Sequence, residues 1–350
     1  MQPSIPDLYR FAPDCQYNGM MIMKKRKIPL FLMALFLILS GILYLLADRY
    51  LIEHVEIVDV RAAVAAQTIS VAATPVAIGT ESADTVAASP TSAAGVNTST
   101  SEWNYHSDTT TINIRKVTTG SGRDTVTYFV ADVVVKDATA LQSAFAKNMF
   151  GRNIIEYTSA IAQENNAIFA INGDYYGFRN DGIVIRNGVI YRDSPVRTGL
   201  AFYKDGSVNI YDETQTTAQQ LLADGVWNTL SFGPALIVDG VVQTSFKDVN
   251  VDTNFGNHSI QGNNPRTGVG WIDRNHFVFV VVDGRSNGYS RGVSLSEFAQ
   301  IFKDLGCAQA YNIDGGGSST LYFDGQVVNN PLGRNQERGT SDILFIGSRV

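Results

Sequence analysis

From Ile28 to Ala47 the chain reads IPLFLMALFLILSGILYLLA, twenty residues without a charge and long enough to cross a hydrocarbon core as a helix. A buried core helix of that length carries a polar face, and this run has none. Lys24, Lys25, Arg26 and Lys27 come before it, and positive charge on that side holds the N-terminus in the cytoplasm. The expected division is a cytoplasmic segment (1–27), a transmembrane helix (28–47) and an extracytoplasmic remainder. A cleaved signal peptide is the rival reading, but the run is long for such a segment and small residues suited to cleavage come only later, at Ala63 to Ala66. Met20, Met21 and Met23 stand closer to the basic cluster than Met1 and are alternative starts.

Residues 48–106 read as a stalk. Between Ala62 and Ser101 the chain is mostly Ala, Thr, Ser and Val, with the acids Glu81 and Asp84 and no Lys, Arg or aromatic residue, so it lacks the large side chains that build a core. Residues 107–350 then form the expected catalytic domain, and 45% hydrophobic content over 350 residues is ample for one. The balance of 27 basic against 33 acidic side chains gives a formal charge of -6, which argues against nucleic acid as a partner. Cys15 and Cys307 fall on opposite sides of the span and cannot pair within one chain. Four scattered His and no Cys cluster argue against a structural zinc.

The domain has an α+β texture: short apolar runs between Gly, Asn and Asp turns, hairpin-rich with mixed sheet and few helices. Thr125 to Val135 (TVTYFVADVVV) predicts a strand. Ile154 to Asn165 has helical spacing and leads into a short buried strand, Ile168 to Ile171. Ser294 to Leu305 predicts a second helix, with Leu295, Phe298, Ile301, Phe302 and Leu305 on one face, a Ser294/Glu297 capping box and Gly306 as its stop. It feeds the strand Ala308 to Ile313.

Three segments place an Asp directly after such a strand: Asn172-Gly173-Asp174-Tyr175-Tyr176, Val282-Asp283-Gly284-Arg285-Ser286 and Asn312-Ile313-Asp314-Gly315-Gly316-Gly317-Ser318-Ser319. Asp-Gly is also the commonest hairpin turn, and Asp205-Gly206, Asp239-Gly240 and Asp324-Gly325, each between two strand-like runs, fit that plainer reading. After Asp174, Asp283 and Asp314 no strand returns at once, so these are the candidate chemical carboxylates. The triple glycine lets backbone N–H groups approach an anion, and Ser318 and Ser319 add hydroxyls. In Asn264-Pro265-Arg266-Thr267-Gly268-Val269-Gly270, Arg266 stands at a strand entry, past a Pro-fixed turn, where a guanidinium can be aimed at a phosphate or carboxylate.

The order NGDYY, PRTGVG, VDGRS and NIDGGGSST, with Ser231-Phe232-Gly233-Pro234 and the late Glu337-Arg338, resembles the phosphodiester glycosidase family over most of Ile168 to Gly347. After the late Arg the chain has Gly339-Thr340 where the family tends to have Pro and an apolar residue. The resemblance implies hydrolysis of an α-linked sugar-1-phosphodiester, releasing the sugar and leaving the phosphate on the other partner; the expected substrate is a cell-surface or extracellular glycan, and no cofactor is expected. Asp174, Arg266, Asp283, Arg285, Asp314 and the loop Gly315, Gly316, Gly317, Ser318 match its motifs. Asn172, Tyr175, Thr267 and Arg338 join them as substrate- or phosphate-binding candidates.

A phosphate monoester has a second pKa of about 6 and departs as an anion near neutral pH, so strong acid assistance is less necessary than in ordinary glycosidases. The site must then supply a carboxylate at the sugar carbon and donors around the departing phosphate. One of Asp174, Asp283 and Asp314 is expected as nucleophile or base, and Arg266, Arg285 and the glycine loop as the clamp. Glu297 is explained by its capping box. The rival readings are metal-assisted phosphodiester hydrolysis on a magnesium or calcium ion held by the three Asp residues, and a catalytically silent binder of cell-surface polymer.

Overall fold

The computed structural model describes residues 27–65, 99–101, 103–247, 249, 251 and 260–348. They fall into two units, Met1–Ile52 and Glu53–Val350. In the first, Lys27–Tyr50 is one helix, and its stretch Phe31–Arg49 is long and apolar enough to cross a membrane. Its large apolar side chains, such as Phe31, Phe36, Leu43 and Leu45, are exposed.

The second unit is mostly sheet. Nine strands form one sheet, with Ala235–Val238, Gln309–Ile313, Arg266–Asp273, His276–Val282, Val126–Val135 and Thr110–Thr119 side by side at its centre. A five-stranded sheet runs Gln326–Val327, Leu321–Phe323, Ala167–Asn172, Asp342–Gly347, Leu141–Phe145, and a three-stranded sheet centres on Thr198–Tyr203. Period-2 alternation sorts the central strands. Phe277, Phe279 and Val281 face a core shared with Phe169, Ile171 and Leu344 of the five-stranded sheet, whereas Val278, Val280 and Val282 face Phe298 and Phe302 of the helix Leu295–Asp304. Gly268 and Gly270 let that helix come close, since a Cβ at either would meet the Phe302 ring.

Every strand pairing among the described residues is antiparallel, where a mixed sheet was expected. The strand–helix–strand run His276–Val282, Leu295–Asp304, Gln309–Ile313 resembles a parallel crossover, but Arg266–Asp273 inserts between its two strands. Those strands therefore run the same way without touching, and Asp283 and Asp314 leave the sheet at one end, about 10 Å apart by strand spacing.

The helix Leu295–Asp304 has the expected capping box. The helix expected from Ile154 begins later, at Thr158, because Glu156 is held in a bridge to Thr340. The stalk and domain boundary expected at 106/107 also differ. Asn104–His106 pairs with Thr110–Thr119, and His54–Ile57 pairs with Phe150–Arg152, so both ends of the expected stalk belong to the domain. Ile57 packs on the core while Val55 is exposed and a bulge lies between them, so no alternation marked this strand, and the low-complexity run after it hid it further. Residues 66–98 lie outside the described part.

Candidate active site

Asp314 follows Ile313 at the end of its strand and is 7% exposed. Its backbone carbonyl accepts the Asn172 side-chain N–H at 2.7 Å, while Asn172 Oδ1 accepts from Thr267 Oγ1 at 2.8 Å and Thr320 N at 3.2 Å. Asn172 and Thr267 are thus fully buried staples joining the two sheets beneath Asp314, not groups open to a substrate. Burial pushes the Asp314 carboxyl above its ordinary range, and the cation of Arg338 opposes that.

Arg338 Nη2 lies 3.4 Å from Asp314 Oδ2 and donates to Ser318 Oγ at 2.6 Å. Glu337 sets its position by accepting from Ser159 N and Oγ at the start of the helix Thr158–Glu164. Arg285, with φ 57, reaches the same loop from the end of His276–Val282 and donates to Asn264 Oδ1 at 2.9 Å. Burial and then the nearby charge of Arg338 lower its pKa, so the two guanidinium groups repel each other. The glycines between them are required: Gly316 has φ +62 and lies against the Arg285 guanidinium, a Cβ on Gly317 would stand 3.1 Å from Arg338 Cδ, and one on Gly315 would stand 2.9 Å from the Pro265 carbonyl. The N–H groups of Gly316 and Ser318 already donate to Pro265 O and Gly315 O, so they do not serve the expected anion nest.

Asp174 and Asp283 are buried as expected of non-turn aspartates, yet each carboxylate is engaged. Asp174 Oδ1 accepts from Tyr175 N and its Oδ2 from Ser231 N, both at 2.6 Å. Arg186 stands behind it, 3.8 Å from Asp174 Oδ2 and 2.9 Å from Asp342 Oδ2, while Asp342 Oδ1 accepts from Asp174 N. Burial pushes Asp342 up to about 6, against the pull of Arg186. Asp283 accepts from Asn329 Nδ2, Asn330 N and the Tyr289 hydroxyl at 2.8–3.1 Å, and burial raises its pKa too. It ties down the chain that follows Val327. Asp205, Asp239 and Asp324 sit in exposed turns.

Arg266 is a correction. The pleat that turns Thr267 toward Asn172 turns Arg266 to the opposite face. There its Nε donates to Val293 O at 2.9 Å and its Nη2 to Ile260 O at 2.7 Å and Gly262 O at 2.9 Å. Burial lowers its pKa to about 10. A guanidinium so held braces loops and is not a phosphate clamp.

Sequence reasoning passed over Arg179 and Phe232. Tyr175 stacks on Phe178 with ring centroids 4.8 Å apart and meets Phe232 edge-on at 5.9 Å. The Arg179 guanidinium lies 5.0 Å from the Tyr175 ring and 5.1 Å from that of Phe232, and its charge reaches Asp314. Tyr175 thus enters the site through its ring, placed by Asp174. The signal for Arg179 was its presence in the loop after NGDYY. Among the described residues, no group of three His, Cys, Asp or Glu is placed to hold a metal ion. A cavity of about 380 Å³ lined by Val60, Val64, Phe145, Asn148, Tyr191 and Phe345 contains none of these acids or arginines.

The SPbeta prophage-derived uncharacterized protein YomE of Bacillus subtilis (strain 168) is 28% identical over 244 residues, covering 63% of this chain and 36% of that protein. The chain therefore spans about a third of the length of this curated relative. The catalytic domain of zebrafish N-acetylglucosamine-1-phosphodiester alpha-N-acetylglucosaminidase (NAGPA), auto-inhibited by its pro-peptide, matches with a TM-score of 0.54 and 20% identity over 69% of this chain and 84% of that one, a likeness of fold. A sequence profile of phosphodiester glycosidases matches residues 165–347, just over half of the chain. That stretch carries all three strand-end aspartates, the glycine loop and Arg338, and by it the chain belongs to the phosphodiester glycosidase family.

Proposed function

We propose that this chain hydrolyses the bond between the anomeric carbon of a sugar and the phosphate of a sugar-1-phosphodiester, with Asp314 as the carboxylate that acts at carbon. The observation that carries this reading is the pair Arg285 and Arg338, two exposed guanidinium groups repelling each other across a glycine loop beside a buried carboxylate. Holding two like charges together opposes folding, so such an arrangement is better explained by a bound anion.

Asp314 attacks the anomeric carbon or activates a water there. As the C–O bond breaks, charge gathers on the departing phosphate, where Arg338 and Arg285 meet it. A carboxylate acting this way must be ionised; burial works against that, and the Arg338 cation opposes burial. The half-buried faces of Tyr175 and Phe232 offer an apolar surface for the sugar ring, braced by Arg179, whose guanidinium donates to Ser231 O at 3.1 Å and Val251 O at 2.7 Å. Asp174 and Asp283 act by placing backbone: the first holds Tyr175 and Ser231, the second Asn330. With their oxygens already accepting hydrogen bonds, a cation bound by all three aspartates has little support.

The helix Lys27–Tyr50, preceded by the basic cluster, serves in this reading as a single-pass anchor with the domain outside the cytoplasmic membrane. The substrate would then be a phosphodiester-linked glycan of the cell surface. N-acetylglucosamine, named in the zebrafish relative, is the first sugar to test. Incubation of the detergent-solubilised chain with an N-acetylglucosamine-1-phosphodiester should give free sugar and a phosphate monoester. Sugar phosphate as the product overturns the reading in favour of P–O cleavage, and binding without turnover overturns it in favour of a silent module.

A further inference from the structure

The segment that directly follows the N-terminal helix is built into the domain. His54–Ile57 pairs with Phe150–Arg152, with His54 opposite Arg152 and Ile57 opposite Phe150. Gly151 is needed there, because a Cβ would collide with the His54 carbonyl. Residues 60–65 continue as helix, with Asp59 Oδ1 accepting the Ala62 N–H at 3.0 Å. Val60 is buried with Phe145, Phe150, Tyr176 and Val184, and Ile57 and Val64 pack against the same cluster. Asn148 donates to Asp59 at 2.8 Å, Arg61 to Asn165 at 2.9 Å, and Lys147 pairs with Glu53. After residues 66–98, Ser99–Ser101 and Asn104–His106 belong to the nine-stranded sheet.

We propose that residues 53–65 are a clip, held by strand pairing and apolar packing, that keeps the N-terminal helix joined to the domain after the chain is cut within 66–98. Proteolysis of the low-complexity run then does not shed the domain, a cellular consequence that rests on reading the helix as an anchor. The clip also supports the site from below, since the Phe150 ring it covers stacks on Tyr176 at 5.3 Å, next to Tyr175. His54–Ile57 and Phe150–Arg152 form a two-stranded ribbon of their own, and strand pairing with side chains set into an apolar pocket is a recognised way for a separate peptide to bind, so a covalent link is not required.

The test uses the full chain in mild detergent, with residues 78–84 replaced by the recognition sequence of a site-specific protease. After complete cutting at low micromolar concentration, the two pieces should leave a gel-filtration column in one peak. The double variant Ile57→Asp/Val60→Asp should run as one species before cutting and as two after it. Separation of the wild-type pieces overturns the proposal, as does co-elution of the cut double variant. If the uncut variant aggregates, amide exchange at 150–152 of the cut wild-type chain decides: retained protection supports the clip and lost protection overturns it. In cells, a domain that stays in the membrane pellet after cutting supports both clip and anchor. An uncut chain absent from the pellet defeats the anchor reading alone.

Discussion

The guanidinium of Arg338 lies 3.4 Å from the carboxylate of Asp314, with the Arg side chain 49% exposed and the Asp side chain 10% exposed. A half-exposed cation is thus set over a carboxylate that burial drives toward its neutral form. That relation gives the acid limb of activity a direction. Asp314 must be ionised to act, so kcat/KM should fall on acidification at a pH above the ordinary carboxylate range. Arg338→Ala removes the opposing charge and should move this limb to still higher pH. A pH profile of both proteins checks it, and an unmoved limb separates Asp314 from the titrating group.

Arg338 and Arg266 should part company on mutation. Arg338→Ala is expected to weaken substrate binding and lower kcat together, by about 10-fold to 1,000-fold in kcat/KM. Arg266→Ala removes donors from the carbonyls of Val293, Ile260 and Gly262 and should destabilise the domain by about 2–4 kcal/mol. Turnover per folded molecule should change little. Urea unfolding beside kinetics separates the two.

Asp283→Asn is expected to act on folding as well. The change weakens or loses acceptors for the Asn330 N–H and the Tyr289 hydroxyl, so a loss of about 1–3 kcal/mol is expected, with near wild-type turnover in the folded fraction. A turnover loss as deep as that of a carboxylate acting at carbon, at unchanged stability, would move the chemistry to Asp283.

Asp342 gives the fold a pH signature. Its carboxyl, raised to about 6, keeps its proton in the native state while the unfolded chain, with a pKa of about 3.9, has released it. The native state therefore binds more protons between those values, and this group's contribution falls as pH rises from about 4 to about 6, on the order of 2–3 kcal/mol. Glu297, lowered to about 2 chiefly by Arg291, works below that window and in the opposite direction. The melting temperature of Asp342→Asn should vary less with pH between 4 and 6 than that of the wild type.

Topology can be read with a single cysteine. Asp324 lies in an exposed turn, and Cys307 is buried. Asp324→Cys, combined with Cys15→Ser so that Cys15 cannot report from the other side of the span, should react with a membrane-impermeant maleimide in intact, wall-stripped cells. Labelling only after detergent would reverse the orientation.

Much of the geometry was legible because local rules agreed. The capping box of Ser294 and Glu297 marked its helix, and the lack of a returning strand separated buried Asp174, Asp283 and Asp314 from the exposed Asp205, Asp239 and Asp324. What stayed hidden depends on which way a side chain points and on partners far along the chain. Arg266 and Thr267 are neighbours in sequence, yet the pleat sends one to a loop of carbonyls and the other to Asn172. Arg186 and Asp342 read as ordinary strand residues, and only the meeting of Gly182–Arg186 with Asp342–Gly347 puts them behind Asp174. Arg179 gains its place from Phe232, a residue on a different loop. The clip was masked by composition, since the run that follows it drew the eye to a stalk.

The most direct test of the central claim is a single-turnover comparison of wild type and Asp314→Asn on an N-acetylglucosamine-1-phosphodiester, with substrate affinity measured on the same proteins. The account predicts a fall of about 100-fold to 10,000-fold in the rate of sugar release with affinity changed by less than about 10-fold, because the carboxylate acts chiefly in the transition state. Sugar release by Asp314→Asn at close to the wild-type rate would contradict it.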